Sequence, residues 1–300
     1  MRRAAAAAGF SPASGIPEAS EGRAIEAVTR QSRLVEGSRL EHIAIGAAEI
    51  CPEPIAFLDG TQHVELFAYD GPSALYSAEI AAGVSERRER RLHSALRRRR
   101  RLLIGRQHSL DAIAPASGDC ELIALPAELA PHPVRDRVQS NRIVDQERGR
   151  LEIEVGRAWR SDNDGWLIVD GSLSQSPAWA NDRRMLGLVK SHSALPFEGN
   201  DLNRYLRLPM GYRTSVFMTE NAVVAPVYSW AIRLWPWEGK DLMHGLVRVE
   251  AAPTPETLAR VDQLSRWLLA ERAPVSAPDP RWDRMVYGVR GVELSLKSNR

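Results

Sequence analysis

The sequence predicts a mixed α/β fold, a mixed sheet flanked by helices. Three observations predict it. Apolar runs of strand length, "IAFLDG", "WLIVDG" and "MLGLVKS", end in turn residues or charge. Stretches with helical periodicity, 134–160 and "TPETLARVDQLSRWLLAER", lie between or after such runs. Strands come partly in runs and partly alternate with helices, which is the pattern of a mixed sheet.

Composition narrows the class. With 300 residues, 44% apolar and 26% charged, the chain can bury a sizeable core and reads as globular. The net charge is only +2, but nearly all the basic residues are arginine, the better phosphate fork. Two cysteines, Cys51 and Cys120, make neither a disulfide framework nor a zinc site, which fits a reducing compartment. No stretch approaches the roughly 20 apolar residues of a membrane helix. The opening "MRRAAAAAGFSPASG" carries a twin arginine, but its apolar part is a short alanine run; residues 1–20 read as a disordered tail, not a signal peptide. The expected location is the cytoplasm, without membrane attachment.

The elements follow in order. Residues 21–50 carry helical spacing through Ile25, Val28, Leu34 and Leu40. "IAFLDG" reads as a buried strand, with "HVELFAYDG" its neighbour through a tight turn. "SALYSAEIAAGVS" fits a strand or a helix start equally. "SERRERRLHSALRRRRRLLIG", 85–105, reads as a long arginine-rich helix inserted in the fold, and "CELIALP" as a short strand. Helix 134–160 leads into strand 166–170; "MLGLVKS" is a strand and "NDLNRYLRLP" a helix. "VVAPVYSWAIRLW" and "DLMHGLVRVEA" pair as antiparallel strands. A Thr-Pro-Glu cap opens the amphipathic helix that carries Trp267, and a Pro-rich linker precedes the final segment.

The chemistry centres on two aspartates. Asp59 and Asp170 each end an apolar run and precede a glycine and then a hydroxyl residue. An Asp-Gly pair is also the commonest hairpin turn signal, and either one alone reads first as a turn. Two of them on strand ends resemble a carboxylate site, because magnesium or manganese takes hard oxygen ligands from a few carboxylates plus substrate phosphates. Two such ions roughly 4 Å apart can clamp both oxygens of a phosphodiester displacement. For a third carboxylate, Val144, Glu147, Leu151, Glu154 and Ala158 step by three or four and share one face. That reading directs Glu154 toward the sheet, with Glu147 in reserve, and leaves Glu152 on a polar face. An ion pair with a nearby arginine is the competing role for Glu154. Lys190, at the end of "LGLVK", could set an ammonium against a phosphate or leaving group; His192 could touch metal or water. His63, Tyr205, Tyr212, Trp230, Trp235 and Trp237 read as structural or packing residues.

"FLDGT", "LIVDGSL", "LGLVKSH" and "SWAIRLW…GLVRVE", in that order and spacing over about 50–295, resemble the NurA nuclease family. The resemblance implies an RNase H-like fold and a single nuclease domain over 21–300. It also implies DNA-end cleavage with Mn2+ or Mg2+, a homodimer, and a HerA-type hexameric ATPase as partner in double-strand-break repair. Carried over, it implies Asp59 and Asp170 as metal ligands, a helix glutamate before the second aspartate, and Lys190 as the basic residue after it. The family's last segment brings a histidine, whereas "VYGVRGVELS" holds Val292 at that place. Either Glu293 or Arg290 substitutes, or one metal position is lost.

"ERRERRLHSALRRRRR" holds nine arginines in sixteen residues, Arg97, Arg98, Arg99, Arg100 and Arg101 among them. As a helix it would show arginine on nearly every face, and the self-repulsion calls for an anionic partner. Six phosphate contacts would give a slope of about −5 for log affinity against log salt. The expected partner is DNA, with a flexible basic arm as the alternative. The sequence therefore reads as a metal-dependent DNA nuclease. A catalytically degenerate DNA-binding or clamp subunit is the alternative, and a carbohydrate or phosphate hydrolase a third reading in which the arginines have no role.

Overall fold

A computed structural model describes residues 28–29, 31–89, 91–114, 117–128, 130–192, 194–219, 224–273 and 282–298. The expected tail 1–20 and the linker at 274–280 lie outside the described residues. In chain order the strands are β1 (Val28–Thr29), β2 (Ser32–Leu34), β3 (His42–Ala44), β4 (Ile55–Asp70), β5 (Ser73–Arg88), β6 (Arg91–Gly105) and β7 (Glu121–Ala124), with helix α1 (Gln107–Ile113) before β7. Then come α2 (Pro133–Arg160), β8 (Trp166–Asp170), α3 (Pro177–Ala180), β9 (Met185–Val189), β10 (Ala194–Leu195) and α4 (Gly199–Leu206). The remainder is β11 (Tyr212–Thr214), β12 (Phe217–Thr219), β13 (Tyr228–Arg233), β14 (Leu246–Ala251), α5 (Pro255–Ala270) and α6 (Tyr287–Lys297). No described helix is long and apolar enough to cross a membrane.

The chain divides into two compact units, 1–55 with 165–289 and 56–164 with 290–300. In the first, the sheet runs β2-β12-β13-β14-β9-β8, with β11 beside β13 and β3. β8 and β9 are parallel, and the β13–β14 and β14–β9 pairings are antiparallel. Phe197, Phe217, Tyr205 and Leu246 form one apolar cluster, with the Phe197 and Phe217 rings edge to face at 4.9 Å. The Thr-Pro-Glu cap is realised: Thr254 accepts the Thr257 N–H, Pro255 opens α5 where its missing N–H costs nothing, and Glu256 occupies the positive first turn. That helix buries Trp267, edge to face with Trp166 at 5.5 Å.

In the second unit β4, β5 and β6 are long antiparallel strands, and β7 adds in parallel to Leu102–Gly105. α2 lies on β5 and β6. Arg106 and Asp136 form a buried pair at 2.6 Å, and Trp159 donates its indole N–H to Glu86 at 2.8 Å.

Four expectations change. The described part of 21–50 forms short strands, not a helix; β2 and β3 take their partners from β12 and β11, far along the chain. "IAFLDG" and "HVELFAYDG" are one strand, so Asp59-Gly60 is mid-strand and the turn comes at Gly71, whose φ is +55°. The "SALYSAEIAAGVS" ambiguity resolves as strand. The arginine-rich segment is strand as well. A helix would crowd like charges at three- and four-residue spacing, whereas a strand sends successive side chains to opposite faces. Arg98 pairs with Glu154 and Arg100 with Glu147 at 2.9 Å, both on α2. Arg99 meets Glu79 on β5 and Arg101 meets Asp119, each at 3.4 Å, while Arg97 donates to Ser295. Intramolecular carboxylates thus meet most of the charge that called for an outside anion.

Arg233 holds the end of β13 without any carboxylate partner among the described residues. Fully buried, it donates to the carbonyls of Leu208 at 2.9 Å, Leu206 at 2.6 Å, Leu242 at 2.9 Å and His244. Burial pushes its pKa down to about 10, so it stays charged at neutral pH. Arg233→Met should cost about 3 kcal/mol, since it strands several buried acceptors. Urea unfolding reads this out, and a loss under about 1 kcal/mol would contradict the clamp.

Candidate functional site

In the second unit, β4 carries Asp59 into the interior, 5% exposed, and its Oδ1 accepts the Gly60 N–H at 2.8 Å. Gly60 faces α2, and a methyl group there would overlap the Glu152 carboxylate. Glu152 is 3% exposed and pairs with Arg148 one helical turn away. Arg148 also donates to Gln62 at 3.0 Å, and Gln62 donates in turn to Asp145 at 2.7 Å. Burial alone would lower the Arg148 pKa, yet it is raised, because the charges of Glu152, Asp59 and Asp145 all favour the guanidinium. Three carboxylates therefore converge on one cation between strand and helix.

This corrects the helix face. Glu154, expected toward the sheet, is exposed and paired with Arg98; Glu152, expected on a polar face, is buried. The buried positions Val144, Glu147, Leu151, Val155 and Trp159 do step by three or four, but after Leu151 the stripe takes the four-residue step to Val155 and not the three-residue step to Glu154, and it is wide enough to include Glu152 and Gly156. Glu147 does point inward but is held by Arg100 and Arg150. The signal for Glu152 was its spacing from Arg148, the i,i+4 arrangement of an ion pair.

In the first unit, the parallel pairing sets Asp170 opposite Leu188, so Asp170 and Lys190 emerge at the same ends of neighbouring strands. Lys190 Nζ lies 2.8 Å from Asp170 Oδ2 and 3.3 Å from the Met285 sulfur, and the Arg284 guanidinium donates to the Lys190 carbonyl at 3.4 Å. Past Asp170 the chain bends sharply at Gly171, whose φ of +135° suits only glycine. The bend folds over Gly187, where an added Cβ would come within 2.7 Å of the Gly171 carbonyl. Glu250 on β14 fixes it: one oxygen accepts the Ser172 hydroxyl at 2.7 Å and the Leu173 N–H at 2.9 Å, and the other accepts from Arg248 at 3.1 Å. Sequence reading missed Glu250, because nothing local marks a carboxylate whose partners lie almost eighty residues earlier.

The carboxylates suit magnesium or manganese by donor type, being hard oxygens alone. Their present partners are cations, Arg148 for Glu152 and Lys190 for Asp170. Among the described residues, no three His, Cys, Asp or Glu side chains are grouped as a metal-holding set. Of the secondary candidates, Glu293 pairs with Lys297 at 2.6 Å, and Val292 is 2% exposed. His63 pairs with Glu65 at 2.7 Å on the exposed half of β4.

His192 is anchored to the Leu246 carbonyl at 3.1 Å. Burial, aided by the nearby Arg284 charge, pushes its pKa down to about 4 from an ordinary 6.5. As pH falls, the unfolded chain takes up this proton before the folded one does. The contribution is therefore intact above about pH 6.5 and is lost between there and pH 4, by about 3 kcal/mol. Comparing urea unfolding at pH 7.5 and 4.5, His192→Gln should lose about 2 kcal/mol less than the wild type; equal losses would show that His192 titrates normally.

The sequence matches no protein-family model and no curated protein. Among solved structures, the chain is similar to the crystal structure of the NurA nuclease from Sulfolobus solfataricus. The TM-score is 0.48 and the identity 10%, over 89% of this chain and 81% of that one. Likeness at that level leaves the function to be read from the residues themselves.

Proposed function

We infer that the protein is a metal-dependent nuclease acting on DNA; the residues that carry the chemistry are Asp59 and Glu152 in the second unit and Asp170 with Lys190 in the first. The observation that carries this reading is the burial of Asp59 and Glu152, at 5% and 3% exposure, in a strand–helix contact that apolar side chains would fill with less cost. Carboxylates kept there, on a chain that resembles a nuclease family through these same strands, are explained by chemistry better than by folding. When bound, magnesium or manganese supplies Lewis-acid polarisation of the phosphoryl oxygens.

The chain's own residues have distinct tasks. Lys190 Nζ, which now donates to Asp170, is free to turn its donors toward a phosphate and steady the charge that develops there. Glu250 keeps the turn after Asp170 rigid, so that the carboxylate is presented from a preorganised strand end. Arg148 holds Glu152 in one orientation against Gly60. The same reading carries the expectation of a homodimer and of a HerA-type hexameric ATPase that feeds DNA to it.

A second reading, a clamp subunit that binds DNA but no longer cuts it, is favoured by the cation on each of two carboxylates and by buried Val292 where the family has a histidine. End-labelled DNA with manganese, magnesium or EDTA separates the two. Under the nuclease reading, cleavage requires metal, falls by about 10³-fold or more in Asp59→Asn, Asp170→Asn and Glu152→Gln, and survives Glu154→Gln within about threefold. DNA binding persists in all four. Absence of cleavage by wild type, alone and with the ATPase, would move the assignment to the clamp.

A further inference from the structure

The arginine run looked like the nucleic-acid surface, yet most of its charge is met within the chain, at Arg98, Arg99, Arg100 and Arg101. Three other cations are not so matched. Arg207, Lys240 and Arg272 have no carboxylate within ion-pair distance among the described residues. Each instead lies over an indole: Arg207 over Trp237 at 5.8 Å, Lys240 over Trp282 at 5.6 Å, and Arg272 over Trp235 at 4.5 Å. The indoles are themselves joined, Trp235 meeting Trp282 edge to face at 5.4 Å. Arg207 and Lys240 are exposed, Arg272, Trp235 and Trp282 are partly buried, and Trp237 is buried at 7% exposure.

We propose that this patch is a docking surface for single-stranded nucleic acid, with Trp235 and Trp282 stacking bases and Arg207, Lys240 and Arg272 meeting phosphates. An isolated cation–π contact is common and modest. The joined Trp235 and Trp282 rings, with three cations on this part of the chain that no carboxylate among the described residues neutralises, supply both parts that a strand of nucleic acid needs: π-faces for bases and positive charge for the backbone. The loop bearing Trp235, Trp237 and Lys240 is rigid, because Arg233 ties its Leu242 and His244 carbonyls down. The patch is also continuous with the Asp170–Lys190 pair. The Gly245 N–H donates to Asp283 at 2.6 Å, and the residues after Trp282 bring Arg284 and Met285 to Lys190. A strand held on the patch would thus lead toward the proposed reacting phosphate; this placement rests on the nuclease reading, whereas binding does not.

The test is equilibrium binding of fluorescein-labelled dT20 and rU20 in EDTA, which stops any cleavage, as a function of salt. Arg207→Gln/Lys240→Gln/Arg272→Gln, a triple variant that keeps every indole, should weaken binding at least tenfold and reduce the salt slope by about 2. Either oligonucleotide responding in this way supports the surface, and their ratio tells DNA from RNA. Separately, oligonucleotide should quench tryptophan emission in wild type, and Trp235→Phe with Trp282→Phe should remove most of that quenching. Thermal melts of both variants guard against misfolding. Unchanged affinity and slope in the triple variant would overturn the proposal whatever the cleavage assay shows, as would a wild type that binds neither strand at low salt. Loss of cleavage in wild type with patch-dependent binding intact would defeat only the nuclease reading.

Discussion

The first unit depends on how one buried cation is satisfied. Arg233 is fully buried and has no carboxylate partner among the described residues; four backbone carbonyls from the end of α4 and the loop after β13 take its donors. A charge without solvent is tolerable only when hydrogen-bonded this fully. From that constraint the rest follows. The 234–245 loop is pinned, its Gly245 N–H is aimed at Asp283, and the segment after Asp283 reaches Lys190, which faces Asp170. An arrangement centred on a guanidinium is more demanding than apolar packing, since the loss of any acceptor leaves a buried donor unmatched.

What the sequence disclosed depended on whether the information was local. Asp170 and Lys190 could be placed because each closes its own apolar strand, and α2, α5 and the β13–β14 pair could be drawn because period and cap lie within a few residues. Asp59 was singled out for a reason that proved partly mistaken: its Asp-Gly pair does not end a strand but sits in the middle of a 16-residue one. Glu152 was misjudged by two positions, because a three-residue and a four-residue step after Leu151 are equally allowed by sequence and the helix takes the four-residue one, to Val155. The arginine segment failed for a different reason. Its helical propensity is real, but the β5 register and the carboxylates of Glu79, Glu121, Glu147 and Glu154 decide the outcome, and none of these is adjacent in sequence.

The two units handle acidic side chains in different ways. In the second, the buried Asp59 and Glu152 and the partly buried Asp145 act on one cation, Arg148; in the first, Asp170 is partly exposed and meets an ammonium at the strand end. Burial makes the former costly to keep and costly to break, whereas the latter is an exchangeable contact that a phosphate could displace. Glu250 belongs to neither group. Among the described residues its hydrogen bonds go to Ser172, Leu173 and Arg248, so its influence on Asp170 is exerted through backbone geometry.

The shortness of β7 has a consequence for self-association. Because β7 covers only Leu102–Gly105 of its neighbour, the outer hydrogen-bonding edge of β6 from Arg91 to Arg101 has no strand beside it among the described residues. An open edge of that length invites another chain to add to it, as in fibrils. Here an antiparallel second copy centred on the run would bring five arginines, Arg98 to Arg101 already carrying carboxylate partners, against five more at roughly 5 Å strand spacing, so that it meets the charge of Arg97, which has no carboxylate partner among the described residues, and the crowding of the ion pairs. The segment that first suggests a ligand is thus also the fold's protection against stacking upon itself.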